Sequence, residues 1–348
     1  MCNVLHNVCV CMKTKTQHEN ELTICSVYHS ARSKHFLELS RELTESLNDR
    51  RDWSWVVMDN TPADYAEERL DSSKFRVVRG IPMTECVKTL ALWQLGMRTS
   101  YHHVSAINNT LPHITTRFAL ILDNDFFIVR KNWIRVILQH MKNKELAFFG
   151  PPWHPRWIKK VRYFPAHHAL FIDTSRVSLS HLNFLPQYTT PKSLSSTHLF
   201  SSPRLPSFLA HLRKKIDGRY GIGTALDTSY DLYKNYYKHP TIRSEYVVPS
   251  FRPYEKYWFP MTVIRKLIDR ITPDRFSYVP RRGSYTTEIF KDGGHFSARG
   301  EGWEEFFWQN IPFGFHMRST PDVEKRDWDK EVRALEIGVE HFKEHPAT

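Results

Sequence analysis

The chain is 348 residues long, 41% hydrophobic and 25% charged, a globular composition with room for two domains or one large α/β domain with an appendage. A formal net charge of +12, from 49 Lys and Arg against 37 Asp and Glu, favours anionic partners such as nucleic acid, acidic headgroups or phosphorylated small molecules. Five unevenly spaced cysteines, three of them at Cys2, Cys9 and Cys11, argue against a disulfide framework, and no apolar run reaches the length of a membrane span, so a cytoplasmic location is expected.

The first 20 residues are polar and unpatterned, and are read as a loose tail without a signal peptide. Leu22 to Ser30 reads as a buried strand, and the helix after it carries Phe36, Leu39, Leu43 and Leu47 on one face. Trp53 to Pro62 is a second strand stopped by Asp-Asn-Thr-Pro, and "FRVVRG" a third. Thr84 is expected to cap the next helix, and "HHVSAINNTL" is a polar helix. Phe118 to Val129, "FALILDNDFFIV", reads as a fourth strand, "NWIRVILQHMK" as a helix and "LAFFGPP" as a strand. Strands alternating with helices at this spacing predict an α/β fold with a mostly parallel, doubly wound sheet, whose ligands bind beyond the carboxyl ends of the strands.

The second half is less regular. "AHHALFIDTSRV" is a further strand, on which His167 and His168 are at best acceptor-site lining, and Gln187 to Pro206 is a long Ser-, Thr- and Pro-rich loop. Helical patterns follow at "SFLAHLRKKI", "TALDTSYDLYKNYY" and "FPMTVIRKLIDRI". The basic, aromatic surroundings of the last of these allow it to lie on an anionic membrane surface, or to pack on the core with a solvated basic face. A C-terminal packing helix repeats apolar residues at Trp328, Val332, Leu335, Val339 and Phe342. The expected organisation is a tail over 1–20, a regular α/β half over 21–150, a less regular half of the same domain over 151–318, and the packing helix over 319–348.

Asp123 and Asp125 interrupt an apolar run. Buried carboxylates need a counter-charge, a hydrogen-bond donor or a metal. Either the strand ends there in an Asp-Asn turn or a cation sits there.

The chain from Leu22 to Arg318 resembles the GT-A glycosyltransferases, specifically the family-2-like inverting enzymes. The resemblance is carried by "SVYHS" after the first strand, "WVVMDNTP" at the second, "ILDNDFFIV" at the fourth and "ALDTSYDLY" later. It implies transfer of a sugar from a UDP-, GDP- or dTDP-sugar donor to a carbohydrate or lipid-linked acceptor. Mn²⁺ or Mg²⁺ would offset the diphosphate charge. It makes Asp125 the leading metal ligand, with Asp123 facing the ribose or reaching the metal through water. Asp59 would accept a hydrogen bond from the donor's base, and Tyr28 would lie against the nucleotide; the alternatives are an Asx-turn and a packed strand tyrosine. Asp227 matches the general base, although Leu226 stands where the family often has a second acidic residue, and Asp231 is the alternative one turn on. A late histidine ligand falls to His295 in "GGHFSARG" ahead of His316 in "FGFHMR".

Three rivals remain. Scattered Lys and Arg and the lack of a recognised motif argue against a nucleic-acid-binding protein. The lack of a Gly-rich phosphate loop near the first strand argues against a nucleotidyltransferase. A transferase that has lost its base stays open because of Leu226.

Overall fold

A computed structural model describes residues 21–49, 53–62, 70–90, 98–155, 163–188, 225–226, 228–253, 259–271, 280–281, 283–291, 303–317 and 327–348. The first half runs β1 (Leu22–Tyr28), α1 (Ala31–Leu47), β2 (Trp53–Asp59), β3 (Arg76–Arg79), α2 (Met83–Lys88), α3 (Arg98–Thr110), β4 (Phe118–Leu122), β5 (Phe126–Ile128), α4 (Trp133–Lys144) and β6 (Leu146–Gly150). The second half adds β7 (Ala169–Asp173), β8 (Gln187–Tyr188), β9 (Ala225–Leu226), α5 (Tyr230–Tyr236), β10 (Arg243–Tyr246), β11 (Val248–Pro249), α6 (Phe259–Ile271), β12 (Glu304–Trp308), β13 (Ile311–His316) and α7 (Trp328–Glu344).

Seven strands form one sheet in the order β10-β6-β7-β4-β1-β2-β3. Every neighbouring pair is parallel except the two that β7 makes, with β4 and β6. The expected mostly parallel α/β sheet is therefore present. Its strands alternate between two cores, as strands buried on both faces must. Leu22, Ile24, Trp55, Val57, Leu120 and Phe171 face one core, which α1, α4 and α7 cover with residues such as Leu37, Ile137 and Leu335. Cys25, Val27, Val56, Ile121 and Ile172 face the other, where Val104 and Ile107 of α3 and Leu232 of α5 pack. Helices on both faces make the sheet doubly wound.

Local signals explain where the elements start. Ser30 caps α1, and Ser33 returns the bond to the Ser30 backbone N–H at 2.9 Å, a reciprocal box built from two serines. At α2 the expectation fails: Pro82 occupies the cap position and Thr84 lies inside the helix, because a residue without an N–H costs nothing at a helix start. The helix expected over Thr224 to Tyr237 starts only at Tyr230; Ala225–Leu226 pairs with Gln187–Tyr188 instead, and Ser229 takes a left-handed backbone (φ 62°) before the first turn.

The fourth strand also differs from expectation. The apolar run around the aspartates is two strands in two sheets. β4 ends at Leu122, the Phe126 N–H bonds back to the Asp123 carbonyl at 3.1 Å, and β5 joins a four-stranded antiparallel sheet in the order β11-β12-β13-β5. The Asp-Asn-Asp segment is the corner between the sheets.

Asp173, at the end of β7, is fully buried and accepts bonds from the Arg117 guanidinium at 3.0 and 3.3 Å, from Ser175 N–H at 3.0 Å and from the Ser175 hydroxyl at 2.6 Å. Burial pushes this carboxyl up, but the Arg117 and Ser175 bonds outweigh it and hold it below its ordinary value of 3.8. The stabilisation is complete above that value and is lost as pH falls through the lower native one. Asp173→Ala is expected to cost about 2–4 kcal/mol at neutral pH and to flatten the acid limb below about pH 4, both measurable by denaturant unfolding.

The C-terminal packing helix is present as α7, with Leu335, Val339 and Phe342 buried. α6 instead leaves apolar residues in solvent: Phe259 is 80% exposed, Leu267 61%, Val263 52% and Ile264 49%. Such exposure does not fit the core-packing alternative for this segment. Among the described residues no helix is long and apolar enough to cross a membrane. The tail over 1–20, most of the loop from Gln187, and the helical pattern "SFLAHLRKKI" lie outside the described residues.

Candidate metal and catalytic site

Four separate pieces of backbone meet at the carboxyl end of β4. Because β7 is antiparallel, it begins where β4 ends. Leu122 pairs with Ala169, and the Asp123 N–H bonds to the His168 carbonyl at 3.0 Å, which puts His167 and His168 beside the aspartates. β5 pairs with β13 so that Phe126 lies opposite His316, and the Met317 N–H bonds to the Asp125 carbonyl at 2.8 Å. β12 pairs with β13 so that Glu304 lies opposite His316. α3 adds His103.

The side chains pair carboxylates with imidazoles in two neighbouring groups. His316 Nε2 lies 3.1 Å from Asp125 Oδ1, and His316 Nδ1 lies 3.2 Å from Oε2 of the fully buried Glu304. Carboxylates only accept, so bonding both demands the doubly protonated imidazolium. Burial opposes that charge, but Asp125 and Glu304 outweigh it and hold the His316 ring up at about 9. On the other side, His103 Nε2 donates to Asp123 Oδ1 at 2.8 Å, and Ser229 Oγ bonds His167 Nδ1 at 2.9 Å. Burial would raise the Asp123 carboxyl, but His103, His167 and His316 hold it well below the usual carboxylate range. His168, 1% exposed, stacks on the His316 ring with centroids 4.9 Å apart and planes 14° apart. Burial first, and then the His316 charge, push the His168 pKa well down, so it stays neutral.

Two groups have the composition and proximity to hold a cation: Asp123 with Asp125 and His316, and Asp123 with His103 and His167; within each, the ligand atoms lie within 4.8 Å of one another. Adjacent ligand atoms of an octahedral cation held at about 2.1 Å are about 3.0 Å apart. The 3.1 Å between His316 Nε2 and Asp125 fits that spacing, with a proton in the cation's place. Glu304 behind Nδ1 is the partner that a metal-binding histidine characteristically has on its second nitrogen. The residues fit a divalent ion.

The other expected residues fall as follows. Asp59 ends β2, as placed, but Oδ1 accepts from the Thr61 N–H at 2.9 Å and the Thr61 hydroxyl at 2.6 Å, while Oδ2 accepts from Arg79 at 3.0 Å. That is the turn alternative for this residue. Tyr28 is fully buried in the core on the α1 side, the packed-tyrosine alternative. Asp231 sits in the first turn of α5, half-buried, and burial raises its carboxyl pKa. Asp227 and His295 lie outside the described residues. His316, the second choice between the two late histidines, is the one beside Asp125. His103, Glu304 and Ser229 carry no motif in the sequence; Glu304 reads there only as one of many surface-type acids.

No family model and no curated protein matches the sequence. Solved structures share part of the architecture. The mannosyltransferase PcManGT from Pyrobaculum calidifontis, in complex with GDP-Man and Mn²⁺, is 12% identical over 47% of each chain, with a TM-score of 0.31. The galactosyltransferase LgtC, in complex with donor and acceptor sugar analogues, is 14% identical over 43% of this chain and 57% of its own, with a TM-score of 0.32. TarS from S. aureus is 12% identical over 47% of this chain and 30% of its own, with a TM-score of 0.33. The match thus spans from under a third to just over half of each of those chains, and likeness at these TM-scores carries no argument about activity.

Proposed function

We propose that the protein is a metal-dependent glycosyltransferase that takes its sugar from a nucleotide-sugar donor. The observation that carries this reading is His316 held between the fully buried Glu304 and Asp125 at the corner that also presents Asp123. The three candidate ligands lie at the carboxyl end of β4: His316 closes β13, and the two aspartates sit in the turn after β4, tied down by the Asp123 N–H on the His168 carbonyl and the Met317 N–H on the Asp125 carbonyl.

Asp123, Asp125 and His316 would hold Mn²⁺ or Mg²⁺, and the imidazole favours Mn²⁺. Such an ion would neutralise the charge of the departing diphosphate. The chain's own part is to keep Asp123 ionised and to hold the imidazole's orientation through Glu304. The acceptor, a carbohydrate or a lipid-linked sugar, must lose a hydroxyl proton. Among the described residues Asp231 is the candidate base, since a carboxyl pKa raised by burial makes the carboxylate a better base near neutral pH. Asp227 keeps the role that the resemblance implies for it.

A panel of UDP-, GDP- and dTDP-sugars tests the reading. With one of them, nucleotide release should depend on added Mn²⁺, and Asp125→Ala should lower it about 100-fold or more, the scale of removing a metal's charge stabilisation. If every donor is ignored while the protein is retained on RNA or DNA, the basic surface is the functional one and the transferase reading fails.

A further inference from the structure

We infer that the corner holds a second divalent transition-metal cation, such as Mn²⁺ or Zn²⁺, between His103, Asp123 and His167, with Asp123 shared between the two ions. The inference deepens the cation reading of Asp123, Asp125 and His316 and rests on it for the shared carboxylate.

Two imidazoles and one carboxylate come from three different elements: His103 from α3, Asp123 from the corner after β4, and His167 from the approach to β7. Two of the three are already spaced as ligands. His103 Nε2 and Asp123 Oδ1 are 2.8 Å apart, close to the separation of adjacent ligand atoms around a small divalent ion, about 3.0 Å. The third is oriented. Ser229 Oγ, 2.9 Å from Nδ1, orients the His167 ring; with the hydroxyl accepting the Nδ1 proton, Nε2 is the nitrogen that would ligate, in the way that Glu304 backs His316.

The Ser229 contact is not an accident of a loose turn. Ser229 is buried and held in a left-handed backbone, and its N–H bonds to the Phe184 carbonyl at 3.1 Å. A non-glycine residue kept in that region must be over-determined by its surroundings. Two imidazoles with one carboxylate suit a borderline transition ion better than Mg²⁺ or Ca²⁺, which prefer oxygen. A carboxylate has two oxygens and can serve one ion with each. The pair of ions would place positive charge on both sides of Asp123, which suits a substrate bearing two phosphates.

Equilibrium dialysis of the full chain against saturating Mn²⁺ alone decides the matter. Two equivalents are expected for wild type, with the exchange-coupled electron paramagnetic resonance spectrum of a close Mn²⁺ pair. His103→Gln and His167→Gln should each retain one equivalent and lose the coupling, as should His316→Gln from the other side. Ser229→Ala should weaken the second equivalent about 10- to 100-fold and leave the first in place. One equivalent in wild type, or two in both His103→Gln and His167→Gln, overturns the inference. If His167→Gln does not fold, His103→Gln decides alone, its side chain being 26% exposed on a helix. Two bound ions with no nucleotide released from any of the nucleotide-sugars would defeat the transferase reading and leave the second cation site standing.

Discussion

Saturating Mn²⁺ should raise the stability of the wild-type chain and leave that of Asp123→Ala unchanged. Ligand binding to the native state adds RT ln(1 + [L]/Kd), about 2.7 kcal/mol at one hundred times the dissociation constant. For a chain of this size that corresponds to about 4 °C in Tm. Asp123 is the residue to remove because it belongs to both candidate cation groups. Its loss also frees His103 from its 2.8 Å bond and deprives the site of the carboxylate that three imidazoles hold ionised. The metal-free variant should therefore be about 1–3 kcal/mol less stable at neutral pH, the cost of stranding a hydrogen-bonded group. Differential scanning fluorimetry with and without Mn²⁺ separates the two effects. An unaltered Mn²⁺ response in Asp123→Ala would mean that the ion binds elsewhere, and the site as drawn would be wrong.

The second large effect belongs to a residue that would never touch substrate. Glu304→Gln should weaken Mn²⁺ binding about 10- to 100-fold, the usual consequence of losing the carboxylate behind a ligating histidine. Glu304 is fully buried, so no solvent replaces its charge. The pH dependence gives the same residue a second signature. The metal-free His316 titrates at about 9 against an ordinary 6.5, a raised value. Its charged form therefore stabilises the fold fully below 6.5, and that contribution is lost as pH rises towards 9. Proton and metal compete for Nε2, so wild-type Mn²⁺ affinity should climb with pH up to about 9. In Glu304→Gln the climb should level off at lower pH, because one of the two carboxylates that hold the proton is gone. Isothermal titration at several pH values reads both. A variant whose affinity and pH profile match wild type would show that Glu304 only packs.

Much of the scaffold was legible without coordinates. The apolar runs of Leu22–Tyr28 and Phe118–Leu122 and the periodicity of α1, α4 and α7 are local properties, set by which side chains can reach a core from a strand or a helix. The aspartates after Leu122 stand out locally too, since buried carboxylates need a turn or a cation, but the break into two strands does not: the run through Val129 reads as one strand. Helix starts were less secure, as Pro82 and Ser229 show, because several residue types satisfy a helix end and the choice depends on what the preceding backbone is doing.

The sequence by itself determined an α/β sheet with acids at its carboxyl edge, because strand and helix patterns and the cost of burying charge act over a few residues at a time. Only the tertiary structure decided which partners those acids have. Asp125 and His316 are 191 residues apart and meet through the pairing of β5 with β13; Glu304 reaches His316 through β12, and His167 arrives because β7 runs antiparallel. Strand register carries no local mark in the residues it brings together, since hydrogen bonds between backbones form whatever the side chains are. That is why the meeting of His316 with Asp125, and of Glu304 with His316, could not be read before the strands were paired.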